Sequence, residues 1–336
     1  MSSTFDIASE EPSRSVAARP EPEGFWAAYK RSLKPLEVEE PIDVWIHRPL
    51  AYLLAKALMP TPVSPNAVTV ISILFGIAGG IALLSSFPHH MLVGGLCIFA
   101  SAVFDCADGQ LARMRGTSSL LGRMLDGSAD LIVSVVAVGG GTYVVWSKFN
   151  DTPWMGALAL LLCVLTAVTG SFHTGMYDHY KNVFLRLTNA KYQEAEDYET
   201  ALARFRERQD APLFVRLAWY PYLFYVKSQE DYSRRFDPYT SASFSRFPAF
   251  DEERARIYRR HAEAPMRLFR AAFGFGSLVF GIALFCALDL LEWYMLVRLV
   301  LQNAVFYGYL RPLQRRASRE AFREMGFSLS PPVHAT

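Results

Sequence analysis

Apolar runs of bilayer length, two of them ending in paired carboxylates, constrain this 336-residue chain more than any other feature in it. Leu92 to Phe104 leads into Asp105 and Asp108, and Leu131 to Val138 leads away from Asp126 and Asp130. The first pair is three residues apart and the second four, so on a helix each pair shares a face. A charged side chain at bilayer depth costs roughly 2.5–3.5 kcal/mol on insertion scales, so acids held there point to function. Four acids brought together repel one another, and a divalent cation is the simplest compensation. Oxygen ligands with no Cys/His set beside them suit Mg2+, Mn2+ or Ca2+ rather than zinc. Cys106, a single thiol, supplies no such set.

The rest of the chain fits a membrane domain with soluble parts. Hydrophobic residues make up 51% of it, and the mean hydropathy is +0.14. That is too apolar for an ordinary soluble protein and too charged for a bare bundle of spans. The net charge of +2, with no basic block interleaved with aromatics, speaks against nucleic acid as a partner. Cys97, Cys106, Cys163 and Cys286 are widely spaced in or beside apolar runs, as packing residues are, not as a disulfide framework or zinc site. Six runs reach membrane length, about residues 67–87, 91–112, 121–147, 153–175, 267–288 and 293–312. The expected fold is therefore all-α: an integral membrane bundle of six transmembrane helices, with an N-terminal juxtamembrane amphipathic helix and a cytoplasmic insertion between spans four and five.

Residues 1–24, rich in Ser, Glu, Pro and Arg, read as a disordered tail without the apolar core of a signal peptide. Residues 25–59 read as two interfacial helices, Phe25–Lys34 with Phe25, Trp26 and Tyr29 toward the membrane surface, and Pro41–Leu58. Residues 60–185 hold spans one to four, 186–264 the insertion, 265–312 spans five and six, and 313–336 a C-terminal tail. Within the insertion, Glu194–Arg208 reads as a charged helix, Trp219–Tyr225 as an aromatic cluster and Phe236–Phe250 as loop. Lys and Arg gather before span one, between two and three, between four and five, and after six, while the opposite loops carry only Lys148. By the positive-inside rule the termini and the acids face the cytoplasm.

Residues 105–130 read D-x2-D-G-x2-A-R-x8-G-x3-D-x3-D, eight specified residues at fixed spacing. The pattern resembles the signature of the CDP-alcohol phosphotransferase (CDP-alcohol phosphatidyltransferase) family and meets it at every fixed position. The resemblance covers about residues 60–185 firmly and 265–312 loosely. It does not cover the tail or the 186–264 insertion, where relatives of ordinary size have a short loop. It implies a transferase of phospholipid synthesis, acting as a homodimer among membrane lipids. In that reaction an alcohol hydroxyl attacks the β-phosphate of a CDP-linked donor, preferentially CDP-diacylglycerol, and CMP leaves. It also implies Mg2+ or Mn2+ on Asp105, Asp108 and Asp126, with Asp130 as the base or a further ligand. Asn66 and Thr69, in Ser64-Pro65-Asn66-Ala67-Val68-Thr69, look like the family's first-span start and imply nucleotide contact; Asn66 equally suits a helix N-terminus. Gly109 would let the cytidine approach the helix backbone, Arg113 offers a planar fork for phosphate, and Gly122 leaves room where spans two and three meet. Glycines also serve small-residue helix packing, the reading for Gly139 to Gly141 and Gly276.

The acceptor is less constrained. His173, Tyr177 and Lys181, near the cytoplasmic end of span four, read either as an acceptor pocket or as interfacial anchors. Arg115 belongs to an Ala112–Gly116 stretch that looks like relatives acting on inositol-type acceptors. Leu131 stands where bacterial relatives that use inositol phosphate often carry Arg, which counts against a phosphorylated inositol. Arg298, inside span six, pairs with an acid, binds a phosphate or snorkels. Two other functions fit less well. One is transfer from a small CDP-alcohol (CDP-inositol, CDP-choline or CDP-ethanolamine) to a lipid or polyol. The other is a cation transporter, which would spread polar residues through the full membrane depth, whereas here the acids gather at one side next to an Arg.

Overall fold

A computed structural model describes residues 24–33, 35–117, 120–190, 198–207, 213–241 and 250–327. The expected tail over 1–23, the loop over 242–249 and the last residues, 328–336, lie outside the described residues. Among the described residues the chain is helical with no strand. Helix α1 (Phe25–Arg31) is followed by a π-turn at Asp43–His47 that runs into α2 (Arg48–Leu58). Helices α3 (Pro65–Leu84), α4 (His90–Arg115), α5 (Leu120–Lys148) and α6 (Pro153–Thr188) follow as long rods. Next come α7 (Tyr198–Glu207), α8 (Leu213–Phe236) and the short α9 (Pro238–Ser241). The remainder is α10 (Glu252–Ala272), α11 (Phe275–Ala287), α12 (Leu291–Val297), α13 (Asn303–Val305) and α14 (Arg311–Glu324).

Among the described residues, five helices are long and apolar enough to cross a membrane: Pro65–Leu83, His90–Arg115, Ala129–Lys148, Pro153–Thr188 and Glu252–Ala287. The expected sixth, 293–312, is helical too, but alternates α and π turns, with π segments at Arg298–Gln302 and Phe306–Leu310. The ends of the rods follow local chemistry. Ser64 accepts from the Ala67 N–H at 3.2 Å with Pro65 at the first helical position, which starts α3. Gly116, at φ 65°, closes α4 in the left-handed conformation.

Small residues set how closely the rods approach. A Cβ on Gly80 of α3 would come within 1.9 Å of Val136 on α5, and one on Gly95 of α4 within 2.4 Å of the Ala283 carbonyl on α11. Gly140 meets Gly80 and Leu83, as a packing glycine should, while Gly139 has nothing within 4 Å. Gly276 makes room for Asp43, not for a neighbouring span. Because successive rods alternate direction, the C-terminal end of α4 and the N-terminal ends of α3 and α5 share one end of the bundle. At the other end Lys148 reaches Asp289 at 2.8 Å and Glu292 at 3.0 Å, joining the α5–α6 and α11–α12 turns.

Several expectations need correction. Tyr29 does not lie on the membrane surface: it is buried against Tyr52 and donates to the Val44 carbonyl at 2.5 Å, while Trp26 stays exposed. The stretch after Phe236 is not all loop, since α9 forms there. Its neighbour Asp237 is buried and accepts from Thr240 at 2.7 Å and from Ser318. Residues 252–264, placed in the insertion, begin a helix capped by Asp251 on the Arg254 N–H at 3.1 Å, with Glu252 and Glu253 in its first turn. The stretch after 312 is helix and packs home: Ala321 and Phe322 of α14 join an aromatic core with Tyr180 of α6, Tyr258 and Phe269 of α10, and Phe306.

Glu40 ties the N-terminal segment to this bundle. Its carboxylate accepts from the Gly276 N–H at 3.0 Å and from the Ser277 N–H and hydroxyl at 2.8 Å, which satisfies the start of α11. Burial, and then Asp43, push its pKa up from 4.5 to about 7, against the lowering effect of the Ser277 and Gly276 donors. An acid with a raised folded value binds more protons folded than unfolded, so its contribution falls as pH rises from 4.5 to about 7 and is level above that. The melting temperature of the purified protein should fall across that window. Glu40→Ala should flatten the fall and remove a cap that contributes about 1 kcal/mol. Thermal melts of both proteins in one detergent at stepped pH measure both effects.

Candidate active site

Helix α4 presents Asp105 and Asp108 one turn apart, and α5, which begins at Leu120, carries Asp130 nearly three turns in. Asp108 is buried, and one of its oxygens accepts a hydrogen bond from the Thr69 hydroxyl of α3. Thr69 is also within 3.2 Å of the Pro65 carbonyl, so its hydroxyl is oriented between its own helix and the carboxylate. Asn66 lies one turn nearer the start of α3, on the same face as Thr69. The structure therefore joins two residues picked out separately, Thr69 and Asp108, across 39 positions of chain.

Gly109 and Arg113 also belong together. A Cβ on Gly109 would lie 3.3 Å from Arg113 Nη1, so the bare backbone there lets the guanidinium fold back over α4. Arg113 Nε donates to the Ser32 carbonyl at 2.8 Å, and Gln110 donates to the Ser32 hydroxyl at 3.0 Å. The end of α1 thus seats directly on the acid-bearing helix. Helix α2 adds Arg48, bonded to Glu39 at 3.0 Å. Burial works to lower the Arg48 pKa, but Cys106, Glu39, Asp43 and Asp105 around it outweigh that and hold it above the ordinary value.

Gly122 and Asp126 fall on α5 where side-chain surroundings lie outside the described residues. Among the described residues, no three His, Cys, Asp or Glu side chains are grouped to hold a metal ion. The donor set still suits a hard divalent cation. Asp105 and Asp108 supply oxygen only, and Thr69 orients the Asp108 carboxylate as an outer partner does for a ligand.

The residues expected at an acceptor pocket sit elsewhere. His173 is buried between Phe273, at 5.1 Å, and Phe306, at 4.4 Å between ring centres. Tyr177 is buried in the same core and donates to the Val38 carbonyl at 2.5 Å. Lys181 pairs with Asp178 at 2.6 Å and lies 5.4 Å from the Tyr177 ring centre. Arg115 turns from the acids toward the end of α2, donating to the carbonyls of Val63 at 2.5 Å, Leu58 at 2.8 Å and Thr61 at 2.9 Å.

Two residues of the insertion reach the region unannounced by the sequence. Gln229 of α8 donates to the Gly175 carbonyl at 3.1 Å and to the Tyr225 hydroxyl at 2.7 Å, and Tyr225 in turn lies 3.4 Å from Asp178. Burial, then Asp178 and Asp130, push the Tyr225 hydroxyl well above the usual tyrosine range. Their four-residue spacing on α8 is the one sequence signal that they share a face; nothing in the sequence says which partner that face meets.

Residues 62–183 match the family model described as CDP-alcohol phosphatidyltransferase. A phosphatidylinositol phosphate synthase of Mycobacteroides abscessus is 32% identical over 121 residues, covering 35% of this chain and 52% of the relative. One from Corynebacterium glutamicum is 30% identical over 120 residues, 35% of this chain and 53% of the relative. A bifunctional IPC transferase and DIPP synthase of Thermococcus kodakarensis is 30% identical over 132 residues, 38% of this chain and 28% of the relative. The chain thus spans about half the length of the curated phosphatidylinositol phosphate synthases it matches.

The three carbonyl bonds of Arg115 make it a clamp on the turn that starts α3. Arg115→Gln should lower the melting temperature by the equivalent of about 1.5–3 kcal/mol, the scale of a hydrogen bond from a charged group. A thermal melt against the native protein checks this.

Proposed function

We propose that this chain acts as a CDP-alcohol phosphatidyltransferase, transferring a phosphatidyl group from CDP-diacylglycerol to a hydroxyl of an inositol-type polyol and releasing CMP; the match of residues 62–183 to that family's model supports this reading. The observation that carries this reading is that the matched segment contains all four acids, with Thr69 of α3 bonded to Asp108 of α4 inside it. The names of the relatives, phosphatidylinositol phosphate synthases, support the donor and the acceptor class. Leu131 favours a polyol without its own phosphate.

Each group has a distinct task. Asp130 takes the proton of the attacking hydroxyl. A divalent cation held by Asp105, Asp108 and Asp126, Mg2+ or Mn2+, would neutralise the diphosphate and stabilise the leaving CMP. Thr69 fixes the direction of Asp108, and Asn66, one turn away, faces the nucleotide. Arg113, steadied through Nε on Ser32, turns the rest of its guanidinium to phosphate oxygen. Gly109 leaves the space which that guanidinium and the cytidine need, and Gly122 does the same on α5. Tyr177 and His173 act as core residues, and Lys181 stays with Asp178 at the rim. The chain works as a six-span homodimer, with Leu291–Leu310 as the sixth span and with the acids and both termini facing the cytoplasm.

Asp105→Asn and Asp126→Asn should each cut CMP release by at least about a hundredfold, the scale of losing one preorganised charge-stabilising group, while the proteins still insert into membranes. Near-native turnover in either would refute the assignment of the acids. The acceptor is read by incubating the purified enzyme with CDP-diacylglycerol and inositol, inositol phosphate, glycerol phosphate or serine, then weighing the new lipid. The expected product is a phosphatidyl polyol formed fastest with inositol. No CMP release with any alcohol would remove CDP-diacylglycerol as the donor.

A further inference from the structure

A cavity lies deeper in the bundle than the acids. It has a volume of about 130 Å³ and is bounded by α5, α6, α11 and the α12 rod. Its walls are mostly apolar, with Val133 and Ala137 from α5, Val279 from α11 and Met295 from α12. Val133 and Ser134 follow Asp130 by one turn on α5, so the space adjoins the proposed site from the side of the bilayer interior.

One charge faces it. Arg298, at the start of the π-turn, is 2% exposed. Its Nη1 donates to the Tyr294 hydroxyl at 3.1 Å, while Nε and Nη2 have no hydrogen-bond partner among the described residues. Those two nitrogens form one side of the guanidinium fork, the side that grips two oxygens of a phosphate. Nor does Arg298 reach water as a snorkelling side chain does, because it is buried. A desolvated cation with one edge of its fork unsatisfied is strongly unfavourable, whereas an anion seated on that edge removes the penalty.

From this cavity and this fork we propose that the protein holds one anionic phospholipid here, its phosphate on Nε and Nη2 of Arg298 and its glycerol and chain region along the apolar walls. The site is separate from the four acids and does not depend on the transfer reaction. Apolar walls on four helices favour a lipid phosphate over a soluble one, although both present the same anion to the fork.

The test is native mass spectrometry of the full chain, stripped of lipid in neutral detergent and titrated with phosphatidic acid, with diacylglycerol as the uncharged control. The expected result is one phosphatidic acid per chain and no retained diacylglycerol. Arg298→Gln should weaken the phosphatidic acid adduct at least tenfold. Ala137→Phe, which fills the cavity without touching the arginine, should weaken it as much. Thermal melting reports folding for both variants, and phosphatidic acid should raise the melting temperature of the native protein but not of Arg298→Gln. Inorganic phosphate in millimolar excess should leave the adduct in place. Displacement by inorganic phosphate would overturn the lipid assignment. Equal binding by the native protein and Arg298→Gln, or no binding by the native protein, would overturn the site. The readout is binding, so a failed transfer assay leaves it unaffected.

Discussion

The close approach of α3 to α4 and α5 is the constraint from which the rest follows. Inside a bilayer, hydrophobic burial gives little drive for helices to associate, so small residues that let backbones touch decide where they cross. Gly79, Gly80, Gly94 and Gly140 are those residues here. The crossings fix the axial offset of the three rods, and that offset sets Thr69 opposite Asp108. A side chain at Gly80 would meet Val136, spread α3 from α5, and carry the hydroxyl away from the carboxylate it orients.

Around that triple contact, the N-terminal segment works as a strap of polar contacts. Glu39 pairs with Arg48, Glu40 closes the start of α11, and the Ser32 backbone takes Arg113. Each strap contact neutralises a charge or a backbone end that the bundle would otherwise leave buried and unmatched. The insertion plays a similar part on the other flank, where Gln229 fixes α8 to the Gly175 backbone of α6. The second half of the chain is held by aromatic packing instead, with Phe273 and Phe306 against His173 and Phe269 edge to face with Phe273.

Much of this was readable in the residues, and the failures have physical causes. The apolar runs marked the starts of the first four rods closely, because length and hydropathy are local properties, but α6 runs on to Thr188, well past the end of its apolar run. The paired acids stood out because charge beside an apolar run is rare. The sixth run was harder: π turns at Arg298 and Phe306 leave its composition unchanged and alter only its hydrogen-bond pattern. Arg115 was singled out by the likeness of Ala112–Gly116 to relatives acting on inositol-type acceptors, whereas its guanidinium takes three carbonyls at the end of α2 and the following turn. His173 and Tyr177 misled in the same direction, since aromatic and imidazole rings at a helix end suit a pocket and a packed core equally well. Residues 252–264 and 313–324 were read only as insertion and tail, yet Tyr258 and Phe322, from those two stretches, lie 6.2 Å apart.

The seat of α1 on α4 has a practical side. Ser32, at the C-terminal end of α1, is bonded to both Gln110 and Arg113, so whatever displaces α1 pulls on the helix that carries Asp105 and Asp108. Foreign mass crowding α1 therefore strains α4, whereas α14 is anchored through Ser318 to Asp237 and, among the described residues, makes no such bond to α4.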